Sequence, residues 1–414
     1  MCIKKGLLLV FIYLCVWFTL TETKVFNQTD SLWSVYTTIS LVREGNIDLD
    51  EYASLFPKAF HANLTTYNGH TYNYYPYGVS LLAAPHIWIL NQWYAWKGKN
   101  LSDKVIASST IGLEKNISSS LLSLSACIFF LISLHLTNSM VKSLETVFIF
   151  SFCTLVFSTI SRGLWQHSGS ILLLSLTLYG FLSEKKQWII LSALPLFFSY
   201  VVRPTNLLPI VFFSLIAIYR LKLKSVFFLG QGFLVLSIFF YINFLLFGSI
   251  VHPYYDFRKV SGSDSFYEAL VANLFSPGRG LFIYSPIFIF SIYGIYLKKK
   301  MEKLSVLDYA IFSIVILHWI LVSRNLNWWG GHSYGYRLLS DTIPFFIYYL
   351  IFSVQYIDKR TILYGFLLFT LLISFYINFK GAQYMETYLW NLVPDNIDTN
   401  SARNWNWKDF PFLR

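Results

Sequence analysis

The chain has 414 residues, of which 55% are hydrophobic, 20% aromatic and only 13% charged. That balance excludes a soluble protein and fits a multi-spanning helical membrane protein. The net charge of +11 is scattered in short clusters between apolar runs. It lacks the compact basic patch that nucleic-acid binding needs, so no nucleic-acid partner is expected.

Lys4 and Lys5 precede the first apolar run. Thr21-Glu22-Thr23-Lys24 offers no small-x-small cleavage site, so the run predicts an uncleaved span rather than a signal peptide. The candidate spans are about 6–20, 117–137, 146–161, 168–183, 188–202, 205–219, 225–247, 281–297, 305–323, 338–357 and 361–379. The expected fold class is therefore an all-α integral membrane bundle of about 11 transmembrane helices. Several stretches fall short of the roughly 20 residues a bilayer crossing needs. Flanking Thr, Ser and aromatic residues can extend them, or the bilayer can thin.

The basic clusters set the orientation. Lys4-Lys5, Lys142, Lys185-Lys186, Arg220/Lys222/Lys224, Lys298-Lys299-Lys300/Lys303 and Lys359-Arg360 fall in alternate connections. Lys and Arg concentrate in short cytoplasmic loops, so the N-terminus is expected inside and the C-terminus outside. The segment Tyr77–Trp96 is long enough to cross, but a crossing there would turn every later basic cluster outward. It is expected to lie along the outer surface, with Pro85 kinking it and Trp88, Trp93 and Trp96 at headgroup level. Residues 1–379 then form a single polytopic domain with a first external loop over 21–116, and 380–414 form an external tail. Single-cysteine labelling checks this: positions 142, 185 and 299 should label only from the cytoplasmic side, and 63, 252 and 405 only from outside. External labelling at 185 would invert the middle of the chain.

Within the first loop, Leu32, Val35, Tyr36, Ile39 and Val42 recur at helical spacing, between Asp30 and Gly45. They predict a short amphipathic helix on the membrane. Cys2, Cys15, Cys127 and Cys153 lie outside the external loops and show no metal-ligand spacing, so neither a disulfide framework nor a Cys metal site is expected. Asn27, Asn63, Asn100 and Asn116 head N-glycosylation acceptor triplets, all in the first loop.

The external segments hold Asp30, Asp48, Asp50, Glu51, His167, Arg203, His252, Asp256, Arg258, Arg279, Arg324, His332, Arg337 and Asp341, many at span ends. Ionisable groups near membrane depth are costly and mark functional sites by default. The runs TDSLWSVYTTISLVREGNIDLDEY (29–52), YNYYPYGVSLLAAP (72–85), SRGLWQHSG (161–169), FSPGRGLFIYSP (275–286) and NWWGGHSYGYRLLSDTIPF (327–345) occur in that order. Together they resemble the GT-C glycosyltransferases, specifically bacterial relatives of dolichyl-phosphate-mannose protein mannosyltransferases. The resemblance covers roughly residues 5 to 360. It implies a glycosyltransferase of the plasma membrane with an extracytoplasmic site, a polyprenyl-phosphate sugar as donor, and a glycan, lipid or protein as acceptor. Asp30 matches the first-loop catalytic carboxylate of that family.

The chemistry fits these residue types. A carboxylate can take the proton of an attacking acceptor hydroxyl. Arg binds phosphate oxygens in a bidentate way, which makes Arg203, Arg279 and Arg337 the expected donor-phosphate ligands. Tyr75, His167, Trp328, Trp329, His332 and Tyr334 are the expected substrate contacts. No Gly-rich nucleotide loop occurs, as suits a donor already loaded on lipid. The chain departs from the family pattern in two places. Ser31 follows Asp30 where many relatives carry a second acid, and Arg162–His167 lacks the acid usual after the third span. No cofactor is assigned, and a divalent metal and the acceptor class stay open.

Other readings of the same residues compete. Asp30 also fits a helix N-cap. Asp48, Asp50 and Glu51 fit a solvated loop, and the histidines lack metal-ligand spacing. The loop aromatics fit an interfacial belt. At the level of the whole chain, a transporter or flippase and a non-catalytic envelope-polymer assembly protein are the alternatives. The absence of a visible repeat and the one-sided charge distribution favour a catalytic cavity over the transporter.

Overall fold

The computed structural model describes residues 2–26, 30–101, 110–255 and 265–414. Asn27, Asp256 and Arg258 lie outside the described residues. The chain is mostly helical. The longer helices are α1 (Cys2–Thr21), α2 (Leu32–Arg43), α3 (Gly78–Trp96), α4 (Ile111–Thr137), α5 (Met140–Phe152), α6 (Gln166–Leu182), α7 (Ala193–Val202), α8 (Leu207–Leu221) and α9 (Ser225–Phe247). They continue as α10 (Phe266–Phe275), α11 (Ile289–Met301), α12 (Val306–Ser323), α13 (Ile343–Tyr356) and α14 (Ile362–Gln383).

All eleven expected apolar stretches are helical over most of their length, some in two pieces. Five helical stretches among the described residues are long and apolar enough to cross a membrane, and six if the bent pair Met140–Phe152 and Leu155–Arg162 counts as one. One of the five, 204–247, joins α8 to α9 through Lys222 at φ +54. The helix α3 is not among the five, and neither are α1, α6, α7 and α11. At the centre, α4 and α13 are largely buried. On the periphery, α9 leaves Phe227, Phe233, Leu234, Ile238 and Phe244 exposed, as does α1 with Leu7, Phe11 and Phe18. Such broad apolar faces fit contact with lipid.

Small residues set the closest helix approach. A Cβ on Gly294 of α11 would collide with the carbonyl oxygen of Tyr349 on α13. Gly294→Ala must therefore separate the two helices, at a cost of about 1–3 kcal/mol. Thermal denaturation in detergent measures this, and an unchanged midpoint would contradict the contact. In the same group, Lys298 Nζ donates to both carboxylate oxygens of Asp308 at 2.7 and 2.8 Å. Both residues are buried, so Asp308 is a packed ion-pair partner.

The first external loop differs from expectation in two ways. It contains a β-hairpin, β1 (Leu64–Tyr67) and β2 (His70–Asn73), paired Leu64↔Asn73 to Tyr67↔His70. Asn68-Gly69 turns it with φ of +51° and +85°, the left-handed pair that Asn-Gly favours in two-residue hairpins. An all-α description omits this ribbon. Second, α2 does not lie on a surface. Ser34, Thr37, Thr38 and Ser40 on its polar side are buried as fully as Leu32, Val35 and Ile39. The helix α3 covers that polar side, and Ser80 Oγ donates to the Ser34 carbonyl at 2.9 Å. Small hydroxyl residues let the two helices close together, as they do in membrane bundles.

The segment 384–414 is folded onto the bundle rather than trailing from it. Phe412 packs into the main hydrophobic core, and the Trp405 indole donates to Glu268 at 2.9 Å.

Candidate functional site

A cavity of about 550 Å³ opens between the connections at one end of the bundle, within the range of small-ligand sites. Its charged lining is built by Asp30, Tyr75, His167, Arg203 and Arg337. Five separate stretches of chain supply these side chains. Asp30 stands between α1 and α2, and Tyr75 follows β2. His167 lies in the first turn of α6, and Arg203 ends α7 where Pro204 stops the helix. Arg337 opens the 3-10 turn that leads into α13.

Arg337 Nη2 donates to Asp30 Oδ2 at 2.9 Å, and the guanidinium lies 4.9 Å over the Trp165 ring. Its Nε is buried and finds no partner among the described residues. The Tyr75 phenol is pushed up, first by burial and then by the Asp30 charge to which it is hydrogen-bonded. A phenol held in its protonated form donates to a carboxylate. Asp30 is therefore held by two donors, Arg337 and Tyr75. It is not the N-cap of α2: that position is Ser31.

Arg203 is held more tightly. Its Nε lies 2.6 Å from Asp341 Oδ2 while donating to Thr205 Oγ1 at 3.0 Å. Its Nη1 is 3.1 Å from His167 Nε2. A guanidinium only donates, so His167 Nε2 accepts and the ring proton sits on Nδ1. That nitrogen faces Ser340 Oγ at 2.9 Å and Asp341 Oδ1 at 3.4 Å. Asp341 is buried, with His318 Nε2 4.0 Å from its Oδ2. The aspartate thus neutralises and aims an arginine that reaches the cavity edge.

A second set of lining residues is neutral to acidic. It comprises Asn325, Asn327, His332 and Asp398, and Leu321, Val322 and Leu338 add apolar lining. Asp398 comes from the C-terminal segment. Its carboxylate accepts from the Trp329 indole at 2.8 Å and lies 3.3 Å from His332 Nε2.

Four sequence-predicted site residues do not line this cavity. Arg279, expected as a phosphate ligand, is 1% exposed, and its donors are engaged. They go to the carbonyls of Gly278, Trp329 and Gly331 and to Asn391 Oδ1, at 2.7–3.0 Å. It ties the 329–331 loop to the C-terminal segment. Trp328 is buried against Ala269 and Ala272 of α10. Tyr334 is buried, with its hydroxyl on the Ile377 carbonyl at 2.7 Å and its ring 4.8 Å from Tyr284. Gly335 permits that packing, since at φ +68 any Cβ would strike Leu155 and Tyr284. Trp329 stands behind Asp398 and reaches the cavity only through it.

His252 is buried against Tyr77, Phe247 and Tyr255, and burial pushes its imidazole down to about 3. Its Nδ1 accepts from the Tyr254 amide at 3.1 Å. Among the described residues, one group can hold a metal ion: Asp48, Asp50 and His70, on and beside the hairpin. It does not line the cavity. His70 Nδ1 is already 2.6 Å from Asp50, raised in pKa by that contact.

Tyr254 and Asp398 are site residues that the sequence reading left out, and Asp341 was named there among the external ionisable groups without a role. Asp341 lies one 3-10 turn after Arg337, a local signal for a shared end. Asp398 carries no local signal, because only the fold of the C-terminal segment brings it to the cavity. No protein-family model and no curated protein matches the chain.

Proposed function

We propose that the chain is an integral-membrane glycosyltransferase that moves a sugar from a polyprenyl-phosphate donor to an acceptor hydroxyl on the outer face. One observation carries this reading: a carboxylate, Asp30, and two arginines, Arg203 and Arg337, line a single cavity. On this reading the eleven helical stretches cross the plasma membrane with the N-terminus inside, and the cavity faces outward. The acceptor oxygen attacks the anomeric carbon while the bond from that carbon to the phosphate oxygen breaks. Asp30 receives the acceptor proton, and the electron pair leaves with the lipid phosphate. Arg337, half-engaged by Asp30 and with an unpartnered Nε, is the group to receive that phosphate. Arg203, locked to Asp341, adds fixed positive potential without moving, which is how preorganised charge lowers a barrier.

The test uses purified protein in lipid nanodiscs with radiolabelled polyprenyl-phosphate hexoses and pentoses. Sugar released to an acceptor or to water supports the reading; intact donor across the panel sinks it. Arg337→Lys should weaken donor binding about 10–100-fold, since it removes a charged hydrogen bond and the planar fork. Unchanged donor affinity in that variant would reduce Arg337 to a support for Asp30.

A further inference from the structure

Resting on the transferase reading, we propose that the part of the cavity built with the C-terminal segment is the acceptor subsite, and that it takes a carbohydrate. The lining of the cavity divides by chemistry. One set, with Asp30, holds both arginines. The other is two amides, an imidazole and one carboxylate: Asn325, Asn327, His332 and Asp398. That second set offers an anionic ligand no cation of its own. A planar amide or carboxylate offers paired lone pairs or N–H groups that match neighbouring hydroxyls on a sugar ring.

These groups have capacity to spare. Asp398 uses one oxygen for the Trp329 indole and the other toward His332, while its side chain stays 48% exposed. A carboxylate has about four acceptor positions, so it retains some for a ligand. Asn327 is exposed, and only its backbone is used, its N–H donating to Asn325 Oδ1. Gly331 at φ +65 leaves open space where a side chain would stand. An extended peptide would need a strand edge or an alternating set of pockets. The one hairpin among the described residues does not line this cavity.

The rim is also preorganised. Arg279 grips the Trp329 and Gly331 carbonyls from behind and Asn391 of the C-terminal segment with the same guanidinium. His332 donates to Asn396 Oδ1 at 2.8 Å, and Asn396 Oδ1 in turn accepts from the Asp398 amide at 2.9 Å. A neutral hydroxyl ligand gains little from each hydrogen bond, so a rim fixed in advance matters more for it than for a charged one.

Saturation-transfer NMR on the full chain in detergent tests the proposal without any donor. The probes are gluco-, manno-, galacto- and N-acetylglucosamine trisaccharides, and a blocked Ser/Thr pentapeptide as the competing class. At least one trisaccharide should give a saturable signal and the peptide none. Asp398→Ala should weaken that binding about 10–100-fold, as expected for a charged hydrogen bond. Because Asp398 also supports Trp329 and His332, Asn327→Ala is the second variant. Its side chain supports nothing else, and its loss should weaken binding about 2–10-fold with an unchanged melting temperature. A peptide signal alone, no saccharide signal, or a saccharide signal untouched by both variants would overturn the proposal. The two readings fail separately. Saccharide binding without donor turnover removes the transferase and keeps the sugar site. Transfer to a peptide or lipid without saccharide binding does the reverse.

Discussion

Asp30→Asn is expected to insert and fold as the wild type does and to lose sugar transfer by about 10²–10⁴-fold, the usual cost of removing a general base. The geometry makes this substitution informative. Ser31 is the N-cap of α2, so the change removes no cap. Asn keeps an oxygen for the Arg337 bond and for the Tyr75 phenol, so the shape of the site is preserved while its basicity is lost. Transfer rate and donor affinity should separate: the rate falls, and donor binding holds or improves as Arg337 is released from a charge. A stable Asp30→Asn protein that still transfers at near wild-type rate moves the base elsewhere. The next carboxylate to test is then Asp398, because Asp48, Asp50 and Glu51 do not line the cavity.

Much of the helical plan is legible in the sequence, because apolar runs between basic clusters depend on composition alone. Each run is helical over most of its length, and Asp30, Tyr75, His167, Arg203, His332 and Arg337, all expected at the site, line one cavity. What the sequence hides depends on contacts between distant segments. Arg279 reads like Arg337, an arginine beside a glycine-rich aromatic loop. Only the fold shows that backbone carbonyls and Asn391 occupy it. The helix α2 reads as amphipathic, yet its hydroxyl face is buried, because α3 packs over it and the Ser80 hydroxyl of α3 donates to the Ser34 carbonyl of α2. The hairpin was legible in Asn68-Gly69, but the polar residues around it read equally as loop. Asp398 sits 61 positions beyond Arg337 in the chain, and nothing in the local pattern brings it back to the cavity.

Asp341→Asn is expected to be the most destabilising single change at the site, by about 3–5 kcal/mol, because it leaves the Arg203 charge buried without a counter-ion. The contacts define the cost. Asp341 is 2% exposed and faces Arg203, His167 and His318 at 2.6, 3.4 and 4.0 Å. An amide can replace a hydrogen bond but not the charge. A second variant separates stability from function. Arg203→Met with Asp341→Leu removes both charges and fills similar volume, a replacement that is often neutral or stabilising for a buried pair. That double variant should recover most of the lost stability in an unfolding titration and still bind donor poorly, because the fixed positive potential at the cavity edge is gone. Arg203→Met alone should lie between the two in stability. If the double variant regains both stability and donor affinity, the Arg203–Asp341 pair is packing alone, and the electrostatic work falls to Arg337. If Asp341→Asn proves as stable as the wild type, Arg203 must reach water in the membrane-embedded protein, and the cavity floor is wetter than its burial implies.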